Sequence, residues 1–285
     1  MAQDLSGKVC LVTGATLGIG RETALGLAAM GATLVLVGRD ADRTRETVAQ
    51  ITRETGNASV DSFVFDLSLQ TGVRALAAAF SAKYPRLDVL VNNAGAAFMQ
   101  REVTAEGVER TWALNHLAPF LLTNLLLDRL KASAPSRIVT VASSAHEPGA
   151  IHFDDLQGAK SYAGFRAYSQ SKLANVMFTY ALARRLAGTG VTANCLHPGV
   201  VATGFGHNTP GLVRTLVSLA RPFLLTAAKG AKTSIYLASS PEVAGVSGKY
   251  FAKCRVVASS ARSQDVAVQE RLWAVSAKET GLPSA

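Results

Sequence analysis

The chain has 285 residues, 48% of them hydrophobic, which is ample for one sizeable core. Its formal charge of +9 comes from dispersed lysines and arginines with no basic block, a solvated surface rather than a nucleic-acid footprint. Three scattered cysteines, Cys10, Cys195 and Cys254, exclude a disulfide framework and fit a reducing compartment. Cys10 and Cys195 read as small buried apolar residues. The histidines, His116, His146, His152, His197 and His207, sit in separate segments without ligand spacing, so no metal site is read from them. The polar start, Met1 to Lys8, offers no apolar core for a secretory signal. The longest apolar stretch, Leu117 to Leu130, is interrupted by Thr123, Asn124 and Asp128 and falls short of the roughly 20 residues a bilayer span needs. The expected location is the cytoplasm.

Val9 to Val12 is an apolar run that predicts a first strand. Thr13-Gly14-Ala15-Thr16-Leu17-Gly18-Ile19-Gly20 turns it into a helix over Arg21 to Met30. Thr33 to Val37 is the second strand, closed by Gly38-Arg39-Asp40 before a helix from Arg43 to Arg53 that Gly56-Asn57 ends. Val60 to Phe65 is the third strand. Asp66-Leu67 follow it, and Ser68 is the expected cap of a helix over Val73 to Phe80. Leu87 to Val91 is the fourth strand, leaving through Asn92-Asn93-Ala94-Gly95. A long helix is expected from about Thr104 through Leu130, with Pro119 as a kink. Arg137 to Ala142 is the fifth strand and ends in Ser143-Ser144. A helix from about Ala167 to Ala187 precedes a sixth strand, Val191 to Leu196, which His197-Pro198-Gly199 turns outward. Lys249 to Phe251 makes a short final strand. Such strand–helix alternation without a linker or repeat predicts a single α/β domain over 1–285, a doubly wound parallel sheet with helices on both faces. The stretch at about 204–229 reads as an insertion above the site.

Two features carry chemistry. Tyr168 and Lys172 stand at i and i+4 in a helix-forming run and so share a face. A cation beside a phenol of ordinary pKa near ~10 favours the phenolate, so the pair can pass a proton. The glycine loop lets a pyrophosphate approach the backbone, at a helix N-terminus whose unpaired N–H groups favour an anion. A dinucleotide site and a proton donor on one chain point to hydride transfer.

With Gly14-x-x-x-Gly18-x-Gly20, Asn92-Asn93-Ala94-Gly95 and Tyr168-x-x-x-Lys172 in order, the chain resembles the short-chain dehydrogenase/reductase family from Lys8 to about Phe251. Asn115 to Leu122, Phe153 to Gln157, Tyr168 to Asn175 and His197 to Val201 resemble its retinol-dehydrogenase-like branch. Two departures are the absence of that branch's frequent N-terminal anchor and Thr16 where asparagine is usual. The resemblance implies Tyr168 as general acid in reduction and base in oxidation, with Lys172 lowering its pKa and bonding the nicotinamide ribose. It implies Ser144, the second of the serine pair, as the residue that holds the substrate oxygen, with Ser143 as the alternative, and Asn115 as holder of a water in the proton path. By the same resemblance Asp66 and Leu67 line the adenine and Asn93, Ala94 and Gly95 the ribose. Pro198, Gly199, Val201 and Thr203 approach the nicotinamide carboxamide.

The second strand ends in Gly38-Arg39 rather than an acidic residue, and a guanidinium can pair with a 2′-phosphate, so NADP(H) is expected over NAD(H). Asp40 in an NAD role is the alternative. The expected activity is an NADP(H)-dependent alcohol or carbonyl oxidoreductase acting on a small apolar substrate. A non-catalytic dinucleotide-binding regulator and an NAD-dependent dehydrogenase of the same fold are the other readings. Gly211 to Leu225 reads as an amphipathic helix, with Leu216 and Leu219 on its apolar face, and is expected to be a lid. Membrane contact by this helix is the competing reading. A homo-oligomer is compatible with the sequence.

Overall fold

The structure is a computed structural model that describes residues 4–199 and 225–283. Among these, runs rich in Val and Leu form β1 Val9–Thr13, β2 Thr33–Gly38, β3 Val60–Val64, β4 Val89–Asn92, β5 Ser136–Val141 and β6 Val191–Leu196, with the shorter β7 Tyr250–Ala252 and β8 Arg255–Val256. They join one sheet in the order β3-β2-β1-β4-β5-β6-β7-β8. Every pairing is parallel except that of β7 with β8. The helices are α1 Gly18–Ala29, α2 Ala41–Thr55, α3 Gln70–Lys83, α4 Arg110–Trp112, α5 Ala118–Leu125, α6 Leu127–Ala132, α7 Gly164–Arg185, α8 Ala227–Ser239 and α9 Val266–Glu279.

β1 shows why the central strands read as apolar runs. Val9 and Leu11 join a core with Phe80 of α3, Phe120 of α5 and Phe178 of α7. Cys10 and Val12 point the other way, into a core with Leu27 of α1, Ile51 of α2 and Leu237 of α8. A strand covered on both faces has no polar side to alternate. The expected doubly wound single domain is the fold observed.

Several boundaries differ from the sequence reading. The helix expected from Thr104 to Leu130 is not continuous. Val103 bridges antiparallel to Glu109 around Gly107, so α4 starts only at Arg110. There the Glu109 carboxylate accepts the N–H groups of Thr111 and Trp112 at 2.8 and 2.7 Å, taking two donors that a helix start leaves unpaired. Ala113–Leu117 forms a π turn before α5, and the chain breaks again at Leu126. Pro119 is the second residue of α5 and directly follows the π turn, the backbone staying right-handed helical through Leu117 and Ala118.

Ser68 does not cap α3. Its hydroxyl donates to Asp66 Oδ1 at 2.7 Å, while the amides of Gln70 and Thr71 are met by the Glu106 carboxylate at 2.6 and 2.9 Å. The last expected strand lies one residue later, and β8 and α9 were not foreseen. Of the expected insertion at 204–229, residues 225–229 are described, and there Thr226 caps α8 by accepting the Lys229 N–H. The rest of that insertion lies outside the described residues. Among the described residues no helix is long and apolar enough to cross a membrane.

Candidate active site

Because β1, β4, β5 and β6 run parallel, their carboxyl ends open on one edge of the sheet, where such folds bind ligands. At the end of β1 the chain turns through Gly14 and Gly18, at φ of 63° and 54°, a left-handed backbone that favours glycine. Gly20 has no room for a side chain: a Cβ there would lie 2.2 Å from Gly14 O and 2.3 Å from Asn93 Nδ2. The Asn93 amide donates to the carbonyls of Thr13 and Gly14 at 2.9 and 3.1 Å. In return Thr13 Oγ1 accepts the N–H groups of Asn93 and Ala94 at 3.0 and 3.1 Å. The exits of β1 and β4 are thereby one rigid unit, and the Asn93 side chain serves the loop itself. Thr13, which the sequence reading passed over, is the tie between the two exits.

α1 starts after Leu17 with no side-chain cap and no acidic residue in its first turn. Its first amides and its positive dipole end are thus available to an anion. Thr16 packs against the exit of β2, where a Cβ on Gly38 would meet Thr16 Cγ2 at 2.7 Å. Arg39 is exposed. Asp40 is committed to the N-cap of α2, accepting the Arg43 N–H at 2.9 Å. Asp66 is likewise engaged, by the Ser68 N–H and hydroxyl at 2.9 and 2.7 Å, beside the buried Leu67.

The other half of the site is carried by α7, buried almost continuously from Tyr168 to Leu182. Burial raises the Tyr168 pKa above its ordinary value, and a hydrogen bond with the Ser143 side chain partly opposes this. Lys172 Nζ lies 5.7 Å from the Tyr168 ring centroid and donates to Val141 O at 2.9 Å. Burial pulls the Lys172 ammonium down to about 8. In this state the balance at the phenol differs from the expectation: desolvation outweighs the groups that favour the phenolate.

Asn115 sits on the π turn, a distortion that re-aims side chains within a helix. Its Oδ1 accepts the Ala96 N–H at 2.9 Å, and its Nδ2 donates to Ala96 O at 2.9 Å and to Ser171 Oγ at 3.0 Å. Gly95 lies against both groups, since a Cβ there would stand 3.1 Å from Asn115 Oδ1 and 3.3 Å from Lys172 Nζ.

The serine beside the tyrosine is Ser143, where the sequence pattern selected Ser144. β5 ends at Val141, one residue before the expected Ala142. Ser143 is still extended, at φ −164° and ψ 156°, and its hydroxyl both meets Tyr168 and accepts the Ala145 N–H at 3.1 Å. Ser144 already belongs to the following 3-10 turn, Ser144–His146. At the exit of β6, Pro198 precedes Gly199, which has φ 86° and donates its N–H to His197 Nδ1 at 3.2 Å. Val201, Thr203 and the segment from Gly211 with Leu216 and Leu219 lie outside the described residues.

The structure therefore brings Ser143, Tyr168, Lys172, Asn115 and Gly95 together, near a glycine turn and an open helix N-terminus. A dinucleotide fits these surfaces: the first turn of α1 has no side-chain cap over its amides and no carboxylate to repel its phosphates. A doubly wound sheet carrying this pair of features defines a Rossmann-type oxidoreductase.

Comparison with known proteins narrows the class. The short chain dehydrogenase profile matches residues 8–210. Human retinol dehydrogenase 14 is 45% identical over 294 residues, covering 98% of this chain and 88% of that protein. Mouse retinol dehydrogenase 12 is 43% identical over 278 residues, with 98% and 88% covered. Among solved structures, an uncharacterised protein from Mycobacterium paratuberculosis superposes with a TM-score of 0.80 at 31% identity, over 100% of this chain and 97% of its own. The Pseudomonas aeruginosa RhlG/NADP active-site complex gives 0.71 at 28% identity, over 87% and 95%. The chain belongs to the short-chain dehydrogenase/reductase family and resembles its retinol dehydrogenases.

Proposed function

We propose that this protein is an NADP(H)-dependent oxidoreductase that interconverts an apolar alcohol and its aldehyde or ketone, with Tyr168 as the acid/base. The observation that carries the reading is the buried Tyr168 phenol hydrogen-bonded to Ser143, with the Lys172 ammonium one helical turn away. A bound nicotinamide supplies the hydride chemistry. The chain's own residues supply the proton and the orientation. In reduction Tyr168 gives its proton to the carbonyl oxygen, and in oxidation it takes the hydroxyl proton. Ser143, in place of Ser144, holds the same oxygen. Lys172 keeps a positive charge near the phenol and would hold the ribose. Asn115 fixes the Ala96 backbone and braces it to α7 through Ser171, the place from which it would hold a water in the proton path.

The preference for NADP(H) rests on Arg39, exposed beyond β2, with the neighbouring Asp40 carboxylate committed to its helix cap. It is supported by solved relatives that hold NADP or NADPH, the Pseudomonas RhlG complex and a short chain dehydrogenase from Escherichia coli CFT073. An apolar, retinoid-like substrate is supported by the names of the relatives. A reducing cytoplasmic setting is supported by three free cysteines.

The test is a panel of aldehydes and ketones assayed for NADPH oxidation, on the parent and on Tyr168→Phe. The substitution should cost about 10²–10⁴ in turnover, the worth of a positioned acid, and leave NADPH affinity within a few-fold. Turnover close to the parent would refute the mechanism. NADPH binding without turnover of any carbonyl by the parent would favour the regulator reading.

A further inference from the structure

His146 is fully buried at the end of the 3-10 turn that follows Ser143, and the acid/base chemistry above does not use it. It grips the Ser143 peptide twice. Its backbone N–H donates to Ser143 O at 3.1 Å, and its Nδ1 lies 2.7 Å from the same oxygen. On the far side of the ring Nε2 accepts the Ser260 N–H at 3.1 Å. A backbone amide can only donate, so Nε2 is bare and the ring proton sits on Nδ1, directed at Ser143 O. Burial keeps the imidazole below its ordinary pKa, which suits this neutral form. The ring also packs on Tyr250, with centroids 4.8 Å apart.

The segment that supplies the Ser260 amide is itself tied down. Ser259 Oγ lies 2.7 Å from the Tyr180 hydroxyl on α7, and Arg262 donates to Gly149 O at 2.9 Å. A continuous path thus runs from the C-terminal segment through the imidazole to the peptide of Ser143, whose hydroxyl meets Tyr168.

We propose that His146 is a positioning residue: the Ser260 amide selects its Nδ1–H tautomer, and that N–H holds the Ser143 peptide so that the serine hydroxyl faces Tyr168 and the substrate oxygen. The inference rests on the acid/base reading of Tyr168 and Ser143. It explains a buried histidine at this place better than packing alone, because a hydrocarbon would fill the space without meeting either Ser143 O or the Ser260 N–H.

Three substitutions separate the two ring nitrogens. His146→Leu removes both contacts. His146→Asn keeps a donor near the place of Nδ1. His146→Gln keeps a polar group near the place of Nε2 and has none for Ser143 O. Turnover, NADPH affinity and folded content are measured for each, alone and in a Ser143→Ala background. His146→Leu and His146→Gln should each lower kcat about ten- to hundredfold, the cost of a small misplacement, with NADPH affinity unchanged. His146→Asn should recover kcat to within about threefold of the parent, a readout that simple packing would not give. In the Ser143→Ala background the Leu and Gln changes should cost little more, since the group being positioned is gone.

Equal losses in both backgrounds, or an Asn variant no better than Gln, overturn the proposal. The Asn and Gln comparison decides it if His146→Leu fails to fold. Tyr168→Phe distinguishes the levels. Its retaining turnover sinks the acid/base reading, whereas its losing turnover while His146→Gln keeps parental kcat sinks the positioning role alone.

Discussion

Replacing Lys172 by Met should make the ligand-free protein more stable at neutral pH while removing its activity. Met matches the apolar stem and removes only the buried ammonium. The lysine loses its proton at about 8 in the fold against 10.5 when free, and the cause is burial. At about 1.4 kcal/mol per unit, the charged form is disfavoured by about 3 kcal/mol at neutral pH. The substitution also deletes the hydrogen bond to Val141 O, worth about 1 kcal/mol, so the variant should gain about 2 kcal/mol. The pH dependence carries the stronger test. Between 8 and 10.5 the unfolded chain binds the proton that the folded chain has released, so parental stability rises with pH across that window. Below 8 the penalty is fully present. The gap between variant and parent should therefore close by about 2 kcal/mol from neutral pH to about pH 9.5. Urea unfolding of both proteins over this range measures it. A gap that does not change with pH would refute the claim that Lys172 is held charged against its environment. A gap that closes identifies a stability cost retained for chemistry, as expected of a group that must be positive beside a phenol.

Ser143→Ala should lower kcat by at least about tenfold, and by more if the serine also orients Tyr168, whereas Ser144→Ala should stay within about threefold. The reverse order in steady-state assays would restore Ser144 as the serine that holds the substrate. Arg39→Ala should weaken NADPH about ten- to hundredfold, from charge-assisted contacts of roughly 1.5–3 kcal/mol each, and NADH much less. Equal losses for both cofactors, measured by fluorescence titration, would show that Arg39 acts through local structure instead.

The fold was legible wherever one physical signal was uninterrupted. β1, β2 and β4 are covered on both faces, so each shows as an apolar run, and Gly56, in the left-handed region, marked the end of α2. The helix around Asn115 was misread because its apolar residues continue through three local events that periodicity does not record: the Val103–Glu109 bridge, the π turn and the break at Leu126. α9 did carry a signal. Asp265 caps it, and Gln269, Leu272, Trp273, Ser276 and Ala277 fall on one buried stripe. Gln269, Ser276 and Ala277 in that stripe are polar or small, so hydrophobicity alone passes over it. Trp273 nonetheless packs on Phe120 and Phe178, and Ser276 Oγ lies 2.7 Å from the buried His116 beside Asn115.

The site was legible to the extent that it depends on spacing within one element. Tyr168 and Lys172 are one turn apart on a single helix, so their shared face follows from the sequence, as does the turn of Gly14, Gly18 and Gly20. Ser143 against Ser144 is a different kind of question. It depends on where β5 stops, and one residue exchanges the face a side chain meets. The strand stops at Val141, whose carbonyl takes the Lys172 ammonium, and the next turn is held by His146 from a segment more than a hundred residues downstream. On the reading proposed for Ser143, the choice between the two serines depends on groups far away in the chain, through contacts that only the assembled fold contains. Residues that act by touching substrate leave a local pattern in the sequence, whereas those that decide which neighbour does the touching leave almost none.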